Sequence, residues 1–217
     1  MRINAYIARA TGLSRRQADI LISQGRVFIG DSLAELGSTV EIDDLVKLDG
    51  QTIKLKPVQT VIINKPVGYV VSRRRQGAKT IYDLLPNYLS NLKPIGRLDK
   101  NSSGLLLLTN DGAIAESLTH PSKNKNKVYQ VRVDKPIEIN HIAELEQGVM
   151  LDDGISKLSI SNLKPDKESM TVIISEGRNR QIRRSFLALG YNVSSLHRIE
   201  FAGYQLNGLQ PGKWKII

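Results

Sequence analysis

No uninterrupted apolar run in the chain is longer than the four residues Leu105 to Leu108, and small polar turn residues close that run on both sides. Four leucines fall far short of the roughly 20 residues that span a bilayer, so the segment 104–109 reads as a buried strand. It sits inside the stretch Gly96-Arg-Leu-Asp-Lys-Asn-Ser-Ser-Gly-Leu-Leu-Leu-Leu-Thr-Asn-Asp-Gly112. That order is a loop bearing a carboxylate, a small polar turn, the strand, and a second turn. Asp99 is therefore expected on a loop anchored to a rigid strand, where functional groups are often found. From the residues alone it is either such a group or a turn former paired with Arg97.

Around this strand the pattern alternates irregularly. Strands are expected at 61–64, 104–109, 128–133, 158–161 and 171–175, and helices at 80–85, 111–118, 138–146 and 180–189. The absence of regular βαβ spacing points to an α+β domain with a largely antiparallel mixed sheet flanked by helices. Ahead of it, Ile3, Tyr6, Ile7 and Ala10 follow helical spacing, and Gly12 ends that helix. Ser14 and Gln17 have the form of a capping box opening a helix over 15–24, which Gly25 closes. Short β segments are expected at 26–29, 39–41 and 45–48. Pro57, in Lys54 to Thr60, cannot continue a strand ladder, so this stretch reads as a linker. The expected division is 1–56, a linker at 57–60, and a second domain over 61–217.

Charge narrows the partners. Lys and Arg number 31 against 21 Asp and Glu, a formal net charge of +10. Such an excess favours polyanions through counterion release, nucleic acid above all. Arg2, Arg9, Arg15, Arg16 and Arg26 fall in the first helix pair and its exit, opposed there only by Asp19. They form one basic face, either solvated or in contact with RNA. The chain has no cysteine, which excludes disulfides and thiolate metal sites. Its three histidines, at 120, 141 and 197, have no metal-ligand spacing, and no metal or cofactor is expected. Met1-Arg-Ile-Asn lacks the apolar core of a signal peptide, so a cytoplasmic protein without a membrane partner is expected.

The motifs carry a family resemblance. Arg2-Ile-Asn-x-Tyr-Ile-Ala, Ser14-Arg-Arg-Gln-Ala-Asp and Gln24-Gly-Arg-Val resemble an S4 RNA-binding domain, with Ile29-Gly-Asp departing from the usual turn. Gly96 to Gly112 resembles the signature of the RsuA/RluB/RluE/RluF group of ribosomal RNA pseudouridine synthases. Asn64-Lys-Pro-Val-Gly-Tyr, Thr119-His-Pro-Ser, Lys127-Val-Tyr-Gln-Val, Glu176-Gly-Arg-Asn-Arg-Gln-Ile-Arg-Arg and Leu196-His-Arg-Ile occur in that family's order. The resemblance implies an S4-like domain followed by a pseudouridine synthase domain. It implies isomerisation of one uridine in ribosomal RNA, 23S rather than 16S on the weight of relatives, with Asp99 as the catalytic carboxylate.

It also implies that Tyr129 stacks on the uracil and that the arginine of Gln-Ile-Arg, Arg183, serves the aspartate. A guanidinium there would favour the ionised carboxylate. Helical spacing agrees: Ile182, Phe186 and Leu189 make a core stripe, and Arg183 borders it about 100° from Ile182, while Arg180 and Arg184 lie nearer the opposite face. In 128–133, period two turns Tyr129, Val131 and Val133 inward. Residue chemistry alone also allows Arg183 as part of a basic face and Tyr129 as a core tyrosine. Base flipping is expected, with phosphate contacts from Arg73, Arg74, Arg75, Lys123, Lys125 and Lys127. Arg2, Arg15, Arg16, Arg26, Arg97 and Arg180 complete the expected RNA contacts. The partner is ribosomal RNA or a subunit assembly intermediate, met by a monomer. Two other readings are open to the residues: a non-catalytic RNA-binding or ribosome-assembly protein on this scaffold, and a glycoside hydrolase pairing Asp99 with Asp111, Asp152 or Glu176.

Overall fold

The structure is a computed structural model describing residues 1–75, 77–120 and 125–217. Lys123 and the end of the Thr119-His-Pro-Ser motif lie outside the described residues.

Ser14 starts its helix as its spacing suggests. Its Oγ accepts from Gln17 N–H (3.2 Å), while Ser14 N–H donates to Gln17 Oε1 (2.9 Å). Helix α1 (Ile3–Thr11) ends at Gly12, in the left-handed conformation, and α2 (Arg15–Ser23) packs beside it. Four short strands follow: β1 (Val27–Ile29), β2 (Ser32–Leu33), β3 (Val46–Leu48) and β4 (Gln51–Ile53), in the order β2-β1-β3-β4. Ile3, Ile7, Ala18, Ile22, Val27 and Val46 form their own buried cluster. The strand expected at 39–41 is only a single bridge, Thr39 to Arg2. Lys93 Nζ donates to Leu13 O (3.2 Å), joining this part to the rest, and Arg9 Nε donates to Lys56 O (3.2 Å) at the end of the first part.

The remaining chain runs β5 (Thr60–Lys65), β6 (Lys93–Ile95), β7 (Ser103–Thr109), α3 (Gly112–Thr119), β8 (Lys127–Val133) and α4 (Ile139–Gln147). The hairpin β9 (Val149–Leu151) and β10 (Gly154–Ser156) follows, then β11 (Ser159–Ser161), β12 (Ser169–Ile174) and α5 (Gln181–Ala188). Last come β13 (Val193–Phe201), β14 (Tyr204–Gln205) and β15 (Trp214–Ile216). The large sheet has the order β11-β12-β8-β13-β7-β5-β15, with β6 on β7 and β14 on β13. Every pairing in it is antiparallel except β13 with β7. The segment 80–85, expected as an α-helix, is a 3-10 turn over Ile81–Leu84, because Pro86 follows at once and the Thr80/Asp83 cap spans a single turn.

The leucine run is central because both of its faces are covered. Leu106 and Leu108 join Val61 and Ile63 in one core, while Leu105 and Leu107 join Ile62 and Phe201 in the other. Fully burying four leucines contributes roughly 6–12 kcal/mol before chain entropy is counted, at about 1.5–3 kcal/mol each. No helix among the described residues is long and apolar enough to cross a membrane.

Candidate active site

Asp99 lies on the connection between β6 and β7, which pair as Ile95 to Leu107 and so pin both ends of the loop. Ser102 N–H donates to Asp99 O (3.1 Å), closing a turn beneath the carboxylate. Below that turn the side chain of Lys65 is fully buried, and its Nζ donates to Pro66 O (3.0 Å) and Ser102 O (2.6 Å). Burial pushes the Lys65 ammonium down to about 8, with the negative charge of Asp99 acting the other way.

The ion pair of Asp99 is with Arg180, Nη1 to Oδ2 3.6 Å, not with the expected Arg183. Arg183 donates to Val193 O (2.6 Å) and Asn101 O (2.7 Å), tying α5 to β13 and to the residue two places after Asp99, and the charge of Asp99 still acts on its guanidinium against burial and Arg180. The inversion has a local cause. Arg180 is not on the helix but at its N-cap, left-handed with φ 47°. The preceding Arg178 is fixed to Asp153 Oδ1 (2.9 Å), Gly154 O (3.0 Å) and Ile155 O (2.8 Å). Helical periodicity therefore does not apply to Arg180. At 48% and 37% side-chain exposure the pair adds at most about 1 kcal/mol to stability; it sets charge and orientation.

A cross-strand row runs under this loop. In register, Lys65 on β5 faces Gly104 on β7, Gly104 faces Arg198 on β13, and Arg198 faces Tyr129 on β8. Gly104 has φ +107°, and a Cβ there would lie 2.2 Å from the Arg198 carbonyl oxygen. Only glycine lets β13 come this close. Tyr129, Val131 and Val133 are buried and Gln130 and Arg132 exposed, as strand period dictates. Arg198 is buried, its Nε donates to Leu105 O (2.8 Å), and its guanidinium lies 4.9 Å from the centre of the Phe201 ring. Lys127 Nζ lies 5.7 Å from the same ring, and its pKa is lowered by burial and then by Arg198, with Glu176 opposing.

Asp99, Tyr129, Arg97, Lys125, Lys127, Arg180 and Arg198 all line one cavity of about 490 Å³, a usual size for a small-ligand site. Glu176 lines it too, but its carboxylate already accepts from Gln181 Nε2 and Arg178 Nη2. Other expected contacts lie elsewhere. Arg26 is held by Asp49 through two 2.7 Å bonds, and Arg75 by Asp83 at 2.8 Å, so neither charge is free of an acid. Arg73 sits 4.8 Å over the Tyr82 ring and donates to Asn91 O and Leu92 O. Arg2 precedes α1, and Arg2, Arg16 and Arg74 are exposed. Arg15 reaches the start of α3, near Gly112, and together with Arg73 and burial lowers the pKa of Lys93. Lys93 joins the two parts of the chain, a placement no local motif announces. Lys65 and Arg198 fall inside sequence motifs that give neither a role of its own; a charge ending an apolar strand is the signal available for Lys65.

One carboxylate on a pinned loop, ringed by cations at a cleft in a mixed sheet, describes an enzyme for a polyanionic substrate. Residues 59–188 match the family model described as RNA pseudouridylate synthase. The chain is 37% identical to "Ribosomal large subunit pseudouridine synthase B" of Bacillus subtilis, over 97% of this chain and 89% of that protein. It is 35% identical to "Dual-specificity RNA pseudouridine synthase RluF" of Escherichia coli, over 99% and 74%. A solved structure titled "Crystal structure of pseudouridylate synthase" superposes with a TM-score of 0.71 at 29% identity, covering 100% of this chain and 96% of that one. The chain belongs to the RNA pseudouridylate synthase family, and it is an enzyme acting on uridine in RNA.

Proposed function

We propose that the chain converts one uridine of large-subunit ribosomal RNA to pseudouridine, with Asp99 as the catalytic carboxylate. The observation carrying this reading is the Asp99 loop, pinned at both ends, opening into the cavity that Tyr129 and Arg180 share. The isomerisation replaces the C1′–N1 bond by C1′–C5 and moves a hydrogen from C5 to N1. No added reagent is required. Tyr129 stacks against the flipped base, and Arg180 offsets the charge of Asp99. Arg183 positions the loop through Asn101 O. Flipping costs a few kcal/mol, offset by stacking and by phosphate contacts.

The first 56 residues act as an S4-like RNA-binding unit. Burial lowers the Lys93 pKa, and Arg73 and Arg15 stand close enough to lower it further; this cationic group spans both parts of the chain, which supports a continuous RNA path. The large-subunit assignment rests on the named target of the Bacillus relative. The test maps pseudouridine in ribosomal RNA from cells lacking the protein, then restores wild type or Asp99→Asn. Loss of one large-subunit site, restored by wild type alone, is expected. Restoration by Asp99→Asn removes the catalytic assignment, and an unchanged map removes the whole reading.

A further inference from the structure

Among the described residues, Arg198 Nη2 is buried and has no hydrogen-bond partner, and the side chain that carries it lines the active-site cavity. Ser102 Oγ, on the Asp99 loop, is likewise buried, unpartnered and in the same wall. Buried polar groups are nearly always bonded, and an orphaned donor on a charged group is among the costlier exceptions. Arg198 is also held still. Its Nε is committed to Leu105 O, its guanidinium lies against Phe201, and its backbone is locked between Gly104 and Tyr129. A fixed, desolvated, unsatisfied donor beside the expected stacking tyrosine calls for an acceptor brought by the substrate.

We propose that Arg198 donates to a carbonyl oxygen of the target uracil and keeps that bond through the isomerisation. The inference rests on the isomerase reading of the cavity and names how that site recognises its base. Uracil has a symmetry suited to such a clamp. A half-turn about the line through N3 and C6 exchanges N1 with C5 and, with them, O2 with O4. When C1′–N1 breaks and C1′–C5 forms, that half-turn brings the second carbonyl to the place the first has left. The C5 hydrogen departs as a proton and N1 gains one, so atoms and charge balance. A donor fixed in the wall therefore meets one carbonyl in the substrate and its counterpart in the product. Negative charge on the detached base resides largely on those oxygens, beside the guanidinium. A planar guanidinium serves this better than an ammonium, because its N–H directions are fixed.

The test uses the full chain, an RNA fragment carrying the mapped site, and single-turnover rates for wild type, Arg198→Gln and Arg198→Lys. The target nucleotide is uridine, 2-thiouridine or 4-thiouridine, since sulfur is a poorer acceptor than oxygen. Each sulfur is expected to slow the wild type at least about fivefold, the size of one hydrogen bond. In Arg198→Gln the rate on uridine falls about 100-fold or more, RNA affinity stays within about threefold, and the sulfur penalty shrinks below about twofold. Arg198→Lys, which keeps the charge, shows an intermediate penalty and carries the comparison if the glutamine variant melts below the assay temperature. Penalties equal in wild type and both variants, or absent from the wild type, overturn the clamp. A wild type inactive on plain uridine overturns the isomerase reading itself, a separate result.

Discussion

Replacing Gly104 by alanine tests the close approach of β13 to β7. The added Cβ would stand 2.2 Å from Arg198 O, 2.5 Å from its N and 2.8 Å from its carbonyl carbon, all backbone atoms that cannot swing aside. Holding a non-glycine residue at φ +107° costs about 1–3 kcal/mol, and forcing the packed strands apart about 1–3 kcal/mol more. The expected loss is about 4 kcal/mol, or about 8–16 °C in Tm for a chain of this size. Gly203→Ala is the internal control. Its φ is +85°, but nothing lies within 4 Å of its Cβ, so only the conformational cost of about 1–2 kcal/mol applies. Thermal unfolding by circular dichroism at one pH and protein concentration measures both. Melting points for the two variants within about 2 °C of each other would mean that β7 and β13 are not paired in this register, and the row joining Lys65, Arg198 and Tyr129 would go with it.

Arg183→Ala should cost about 1–3 kcal/mol in urea unfolding, because the carbonyls of Val193 and Asn101 both lose a charged donor, whereas Arg180→Ala should stay within about 0.5 kcal/mol. Equal losses would contradict the exchange of roles between these two arginines. Lys65 gives a pH signature: its folded pKa, about 8, lies below the unfolded value of 10.5, so the unfolded chain holds that proton more tightly and stability attributable to Lys65 rises between those pH values. Urea midpoints of wild type relative to Lys65→Met should therefore increase from pH 7.5 to 9.5; a flat or falling difference contradicts the burial. Lys93→Gln should weaken RNA binding at low salt and reduce the slope of log affinity against log salt by about 1, with an unchanged slope removing Lys93 from the RNA path.

The residues that proved legible were those whose neighbours repeat a simple period. Strand β8 alternates cleanly, so its period alone orients Tyr129, and the leucine run announces a covered strand. Helices α1 and α2 came with their caps written in Gly12, Ser14 and Gln17. Strand β13, the longest among the described residues, is not legible in the sequence because irregularities between Val193 and Ser195 and between Arg198 and Glu200 break its alternation. With it went the placement of Arg198. Helical spacing misplaces Arg180 because that residue is the N-cap of α5, in the left-handed conformation, and not part of the helix. Lys65 and Lys93 owe their importance to partners 37 and 80 positions away in sequence, which no local window contains.

The sheet's one parallel pairing also bears on how the chain is made. Ser103 waits for His197, 94 positions later, before that flank of the leucine strand is covered. At about 5–20 residues per second, the open interval during synthesis lasts roughly 5–20 s. Through that time β7 can pair with β5 on one edge and, over Leu107 to Thr109, with β6 on the other, while the Ser103–Gly104 end of that second edge stays open. The nascent chain is therefore most prone to mispairing in the interval before residue 197 emerges. Arg198, which lines the cavity with Asp99, closes that end of the edge in the same event.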